Sequence, residues 1–196
     1  MTIPGPGHNK GPTMEKGQGW RRHCWTKARR NLLPRMPLEV VRIRVRRAQE
    51  LGLAFATYNT IRTTSGRDIV AFLFSSNALR LHRLTDTAPA MRLDKLKLLQ
   101  DCDRLFAAQP PFDADTLTAR LKAGGVPVQG AFAAPRLTDS WSAMRQRLKT
   151  VLAKDRIASD AVVIIGDTML EREWCAAGAM AAFVSADDYF AAPSNP

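Results

Sequence analysis

Residues 68–77, DIVAFLFSSN, and residues 161–168, AVVIIGDT, decide the fold. Each is a short apolar run, rich in β-branched or aromatic side chains, that ends in small polar residues. Such a run reads as a strand buried on both faces, the kind found in the middle of a parallel sheet. The uncharged apolar stretch 69–79 is too short to span a bilayer, so no transmembrane helix is expected. Residues 181–184 read as a third short strand and residues 126–132 as another. Between them lie helical patterns. Residues 93–108 place Leu96, Leu99, Cys102, Leu105 and Phe106 at helical spacing, and Gln109-Pro110-Pro111 ends the run. Residues 115–123 form a helix closed by Gly124-Gly125, and residues 138–152 another, capped by Asp139 or Ser140, with Trp141, Met144, Leu148 and Leu152 on one face. Residues 171–177 form a last helix, closed by Gly178. Strands alternating with helices predict an α/β fold, a three-layer, largely parallel sheet over residues 68–190.

The first third of the chain is different in kind. Residues 1–67 hold 14 Lys or Arg against Glu15, Glu39 and Glu50, which accounts for the whole net charge of +11. Residues 68–196 are charge-balanced, with 15 basic and 15 acidic residues. A field of one sign confined to one segment points to a polyanionic partner. Nucleic acid is the first candidate; an anionic membrane surface or an acidic protein is the alternative. Residues 1–19 are rich in Gly and Pro without apolar periodicity and read as a disordered tail. They lack the apolar core of a secretory signal, and three scattered cysteines make no disulfide framework, so a cytoplasmic setting is expected.

Residues 20–66 read as a basic helical module preceding the α/β domain. Trp20 and Trp25 interleave with Arg21 and Arg22, an arrangement suited to stacking on bases and contacting phosphates. Residues 37–51 and 53–64 then form two helical patterns separated by Gly52. From Ala48 through Gly52 to Tyr58 and Ile61 the spacing resembles a helix-turn-helix, with Arg47 standing where that pattern usually has an apolar residue. The resemblance implies that Thr57, Asn59 and Arg62 of the second helix, with Thr60 and Thr63, meet base edges and phosphates, and that Arg42, Arg44, Arg46 and Arg47 lie along the backbone.

The segment 162–184 carries a second resemblance. An apolar strand ends in Gly166-Asp167, Glu171 follows, and Ala177-Gly178 precede a short strand. This is similar to the fourth motif of the haloacid dehalogenase-like superfamily. FLFSSN, ending in Ser75, Ser76 and Asn77, is similar to that family's second motif, and Arg136, Lys149 and Lys154 stand as basic candidates for its third. The resemblance implies Mg²⁺ held by Asp167 and Glu171 and phosphate held by Ser75, Ser76 and Asn77. The family's nucleophile is an aspartate ending an upstream apolar strand, and no acid before Ser75 occupies such a place. The bare residues also allow Asp167 and Glu171 to be a helix cap and a first-turn acid. Histidines 8, 23 and 82 form no triad, and no zinc spacing, Walker A sequence or dinucleotide fingerprint is present.

The sequence therefore predicts a nucleic-acid-binding, regulatory protein whose α/β domain lacks a catalytic nucleophile. The alternatives are a Mg²⁺-dependent dehalogenase-like phosphohydrolase or pseudo-enzyme, and an interaction protein with a basic arm.

Overall fold

Five strands, β1 (Ala71–Ser75), β2 (Asp103–Ala108), β3 (Gly130–Ala133), β4 (Val162–Gly166) and β5 (Ala182–Ser185), form one sheet in the order β3-β2-β1-β4-β5, and every pairing is parallel. The two apolar runs of the sequence become adjacent central strands, each buried along its whole length. The helices are α1 (Leu38–Glu50), α2 (Phe55–Ser65), α3 (Ala90–Leu98), α4 (Ala114–Ala123), α5 (Trp141–Lys154), α6 (Met169–Gly178) and α7 (Ala186–Ala191). The computed structural model describes residues 20, 23–25 and 36–191. The expected tail, residues 1–19, and Arg21 and Arg22 lie outside the described residues. The chain divides into two units, residues 1–40 and 41–196. In the first, residues 20 and 23–25 are helical, and the rings of Trp20 and His23 stack at 5.9 Å.

Side chains alternate across the sheet and create two cores. On one face Phe72, Phe74, Phe106, Val163 and Ile165 meet Leu96 and Leu99, Leu117 and Leu121 of α4, and Tyr189 and Phe190 of α7. On the other, Leu73, Leu105, Val162 and Ile164 meet Met144, Leu148 and Leu152 of α5 and Trp174 of α6. This is the three-layer α/β architecture that the alternating pattern predicts.

Two expectations are corrected. Residues 93–108 are not one helix: α3 stops at Leu98, and β2 starts at Asp103. The reason is Arg104, which is buried and donates Nε to the Leu96 carbonyl at 2.7 Å, Nη1 to Cys102 O at 3.3 Å, and Nη2 to Leu99 O. A guanidinium that satisfies the last carbonyls of a helix terminates it as a C-cap does. The apolar spacing fitted a 3.6 period by accident, since Leu105–Ala108 is a continuous buried strand.

The second correction concerns residues 41–66, expected within a module apart from the α/β domain. Ala48, Leu51 and Leu53, with Tyr58 and Ile61 of α2, belong to the same core as Phe72, Phe74 and Phe106. From Val41 onward the helical pair is a layer of the domain. Gly52 makes the turn as expected, at φ +60°, with Leu53 N donating to Ala48 O at 2.9 Å.

Arg47 holds this layer in place and is no phosphate contact. Its Nε donates to Asp68 at 3.0 Å and Nη1 to Glu50 at 3.1 Å. The remaining donors reach backbone carbonyls of Gln100 (3.3 Å), Ile69 (3.1 Å) and Asp101 (2.9 Å). One guanidinium thus ties α1 to the segments entering β1 and β2. The Tyr58 hydroxyl donates to the other Asp68 oxygen at 2.8 Å, and burial together with that bond pushes its phenol up to about 12. Arg47→Ala leaves these acceptors without their donor, a loss of about 2–4 kcal/mol. Thermal unfolding should show Tm lowered by roughly 5–15 °C, a shift expected for a chain of this size. An unchanged Tm would contradict the assignment.

Candidate functional site

The strand order reverses direction between β1 and β4, and in open parallel sheets the crevice outside the strand C-termini at such a point is the usual place for a ligand. Each group gathered there comes from a strand end or from the helix that follows it. After β1 the chain forms a 3₁₀ turn, Asn77–Leu79, which Arg80 ends in the left-handed region at φ 57°. After β4 come Asp167 and Thr168, and after β5 comes Asp187 on α7.

Glu171 does not fit the magnesium-ligand role that the resemblance implies for it. Glu171 is fully buried: its Oε2 accepts from Asp167 N at 2.6 Å and Thr168 N at 2.7 Å, and its Oε1 from Gln109 Nε2 at 3.1 Å. Thr168 reciprocates by accepting from Glu171 N at 3.4 Å, which completes a capping box at the start of α6. Both Glu171 oxygens are therefore committed to the protein. The capping alternative describes Glu171, although the cap residue is Thr168 and not Asp167. Among the described residues no group of three or more His, Cys, Asp or Glu is arranged to hold a metal.

Ser75 and Ser76 are likewise turned inward. Both are buried; Ser75 Oγ accepts from Ala78 N at 3.0 Å and Ser76 Oγ from Gln109 N at 3.1 Å. They shape the turn and fasten the end of β2, and neither is presented to a phosphate. Asn77 is half-buried at the start of the turn. FLFSSN also begins on the central strand β1, and among the described residues no strand precedes it. Lys149 and Lys154 are on the exposed side of α5, and Arg136 is exposed in the turn before it.

The carboxylate facing Asp167 is Asp187. Arg80 bridges the two, at 3.7 Å from Asp167 and 2.8 Å from Asp187, while Arg92 of α3 pairs with Asp187 at 3.1 Å, donates to Ala78 O, and stands 4.6 Å from the centroid of the Phe190 ring. The network latches α7 onto the turn after β1. Burial raises the Asp167 carboxyl above its ordinary value, against the opposing pull of Arg80 and Arg92. The sequence reading missed Arg80, Arg92, Gln109 and Asp187; no spacing connects residues 107 positions apart.

The helical pair brings some of its predicted residues together. Arg44, half-buried, donates to Asn59 Oδ1 at 2.6 Å across the two helices, and Arg62 lies one turn beyond Asn59, its Nη1 on Gly66 O at 3.3 Å. Asn59 is thus a partner of Arg44 within the fold. Arg42 and Arg46 share the outer face of α1; Arg46 is 83% exposed and reaches Glu50 at 3.2 Å. Thr57 lines a groove beside the edge strand β5, with Thr60, Ile61, Phe183 and Val184. The Thr60 and Thr63 hydroxyls donate back to Ala56 O and Asn59 O.

No protein-family model matches the chain, and no curated protein sequence matches it. A crystal structure of an uncharacterized protein from Listeria monocytogenes serotype 4b is similar over 59% of this chain and 78% of that one, at 15% identity and a TM-score of 0.43. Among the described residues no helix is long and apolar enough to cross a membrane.

Two substitutions test the site. The folded state binds the Asp167 proton more tightly than the unfolded chain, so this carboxyl's contribution to stability is greatest below its ordinary pKa and falls as pH rises through the folded value. Asp167→Asn should therefore raise Tm at neutral pH, the gain shrinking toward zero in acid; a lowered Tm would show that the Arg80 ion pair outweighs desolvation. Glu171→Ala removes the acceptor of three donors and should cost about 2–4 kcal/mol in denaturant unfolding.

Proposed function

We propose that the protein binds nucleic acid through its basic first third, with the α/β domain as the scaffold that carries the helical pair. The observation behind this reading is the segregation of charge: the entire +11 lies within residues 1–67. The geometry of α1 and α2 supports it. Arg42 and Arg46 line one exposed helical face, and Arg44 and Arg62 flank Asn59 at the seam between the helices. Cations so placed neutralise phosphates and release counterions, which gives affinity that depends on salt rather than on base sequence. Arg47 is excluded from this surface because its donors are committed to the fold.

Binding of duplex oligonucleotides to the full chain, titrated with salt, tests the proposal. Affinity should fall steeply with salt, and the triple substitution of Arg42, Arg44 and Arg62 by Ala should lower the slope of log K against log salt by about 2–3, near 0.9 for each phosphate no longer neutralised. Absence of binding at low salt, or a slope unchanged in the triple variant, would overturn it.

A further inference from the structure

The charge-balanced part of the chain contains a cationic surface of its own. Helix α5 carries Arg145, Arg147, Lys149 and Lys154 and no acidic residue. Met144, Leu148 and Leu152 face inward and are buried, so the charged side chains stand on the solvent side. Trp141, Arg145 and Lys149 follow one another at intervals of four and form a single ridge about 12 Å long. Trp141, at the head of the ridge, is 51% exposed.

These cations are largely uncompensated. Among the described residues Arg145, Lys149 and Lys154 make no ion pair, and Arg147 reaches Asp139 at 3.8 Å. On α6, which packs alongside, Arg172 stands 4.7 Å from the centroid of the Phe183 ring, and Glu173 is exposed. A helix that presents Arg145 and Lys149 without ion-pair partners, next to a half-exposed indole, has the two elements that hold a single strand: cations that follow the backbone and an aromatic face on which a base stacks. A lipid surface fits less well, since the apolar side of α5 is committed to the core and only Trp141 and Leu137 remain to enter a bilayer.

We propose that the outer face of α5, along the Trp141–Arg145–Lys149 ridge, is a binding surface for single-stranded nucleic acid, separate from the helical pair on the other face of the sheet. Trp141 stacks on a base, and Arg145 and Lys149 neutralise the phosphates beside it. The basic first third is not required for this contact.

The test uses the full chain and labelled single-stranded oligothymidylate and oligouridylate at several salt concentrations. Trp141→Ala should weaken binding about tenfold or more, within the range that loss of one base–aromatic stack produces. The double variant Arg145→Glu, Lys149→Glu should lower the salt slope by about 1.4, near 0.7 for each single-strand phosphate released. The charge-conserving pair Arg145→Lys, Lys149→Arg should bind as the wild type does, and Trp141→Phe should abolish part of the tryptophan quenching on binding. Wild-type affinity and slope in the charge-reversed variant would overturn the proposal. So would tighter binding of the Arg42, Arg44 and Arg62 variant to anionic vesicles or to duplex than to single strands. If only the Arg42, Arg44 and Arg62 variant lost single-strand affinity, this surface would be refuted; loss confined to the α5 variants would support it and leave duplex binding by the first third to its own test.

Discussion

A parallel sheet buried on both faces requires cover on both faces, and the structure follows from how that cover is supplied. The crossovers that build the β1-β2-β3 half, α3 and α4, place Leu96, Leu117 and Leu121 on one face. Those that lead to β4 and β5, α5 and α6, place Met144, Leu148 and Trp174 on the opposite one. The β4-β5 side of the first face would otherwise be open to water. It is closed by elements from outside the βαβ series: the α1–α2 pair that precedes the sheet and the short α7 that follows it. Burying apolar side chains at about 25 cal/mol per Å² makes such cover a condition of stability.

This explains why the arginine-rich helix pair cannot be read as an appendage. Its inner side chains, Ala48, Leu51, Tyr58 and Ile61, complete a core, while its outer ones carry the charge. Arg47 joins the two roles: a residue of the basic run whose donors all point into the fold. The charged surface and the structural layer are two sides of the same helices.

The fold was legible where burial is continuous. DIVAFLF and AVVII have one reading, because a run of β-branched and aromatic residues of that length is too short for a helix and too apolar for a loop. Helix 138–152 was legible through its cap, Ser140, and helix 115–123 through its terminating Gly124-Gly125, although its cap in the structure is Asp113. Strand β2 was not, because Leu96, Leu99, Cys102 and Leu105 imitate a helical period and the residue that breaks it, Arg104, acts through hydrogen bonds that no pattern records. The sheet edge shows the same limit. Thr168-Met169-Leu170-Glu171 has the spacing of a capping box and was available to local reasoning. The Arg80–Asp187–Arg92 latch was not, since it depends on β5 delivering α7 to the far side of the switch point.

The aromatic plug of α7 bears on the order in which the protein can fold. Tyr189 packs its ring at 5.4 Å from Phe72 and 5.8 Å from Phe74, and its hydroxyl donates to Leu51 O, 138 residues upstream, at 3.3 Å. During synthesis the helix pair leaves the ribosome early, yet the ring that closes its inner face is among the last described residues to emerge. Until then Phe72 and Phe74 lack the part of their cover that Tyr189 supplies, and an early-made layer of the domain is sealed late.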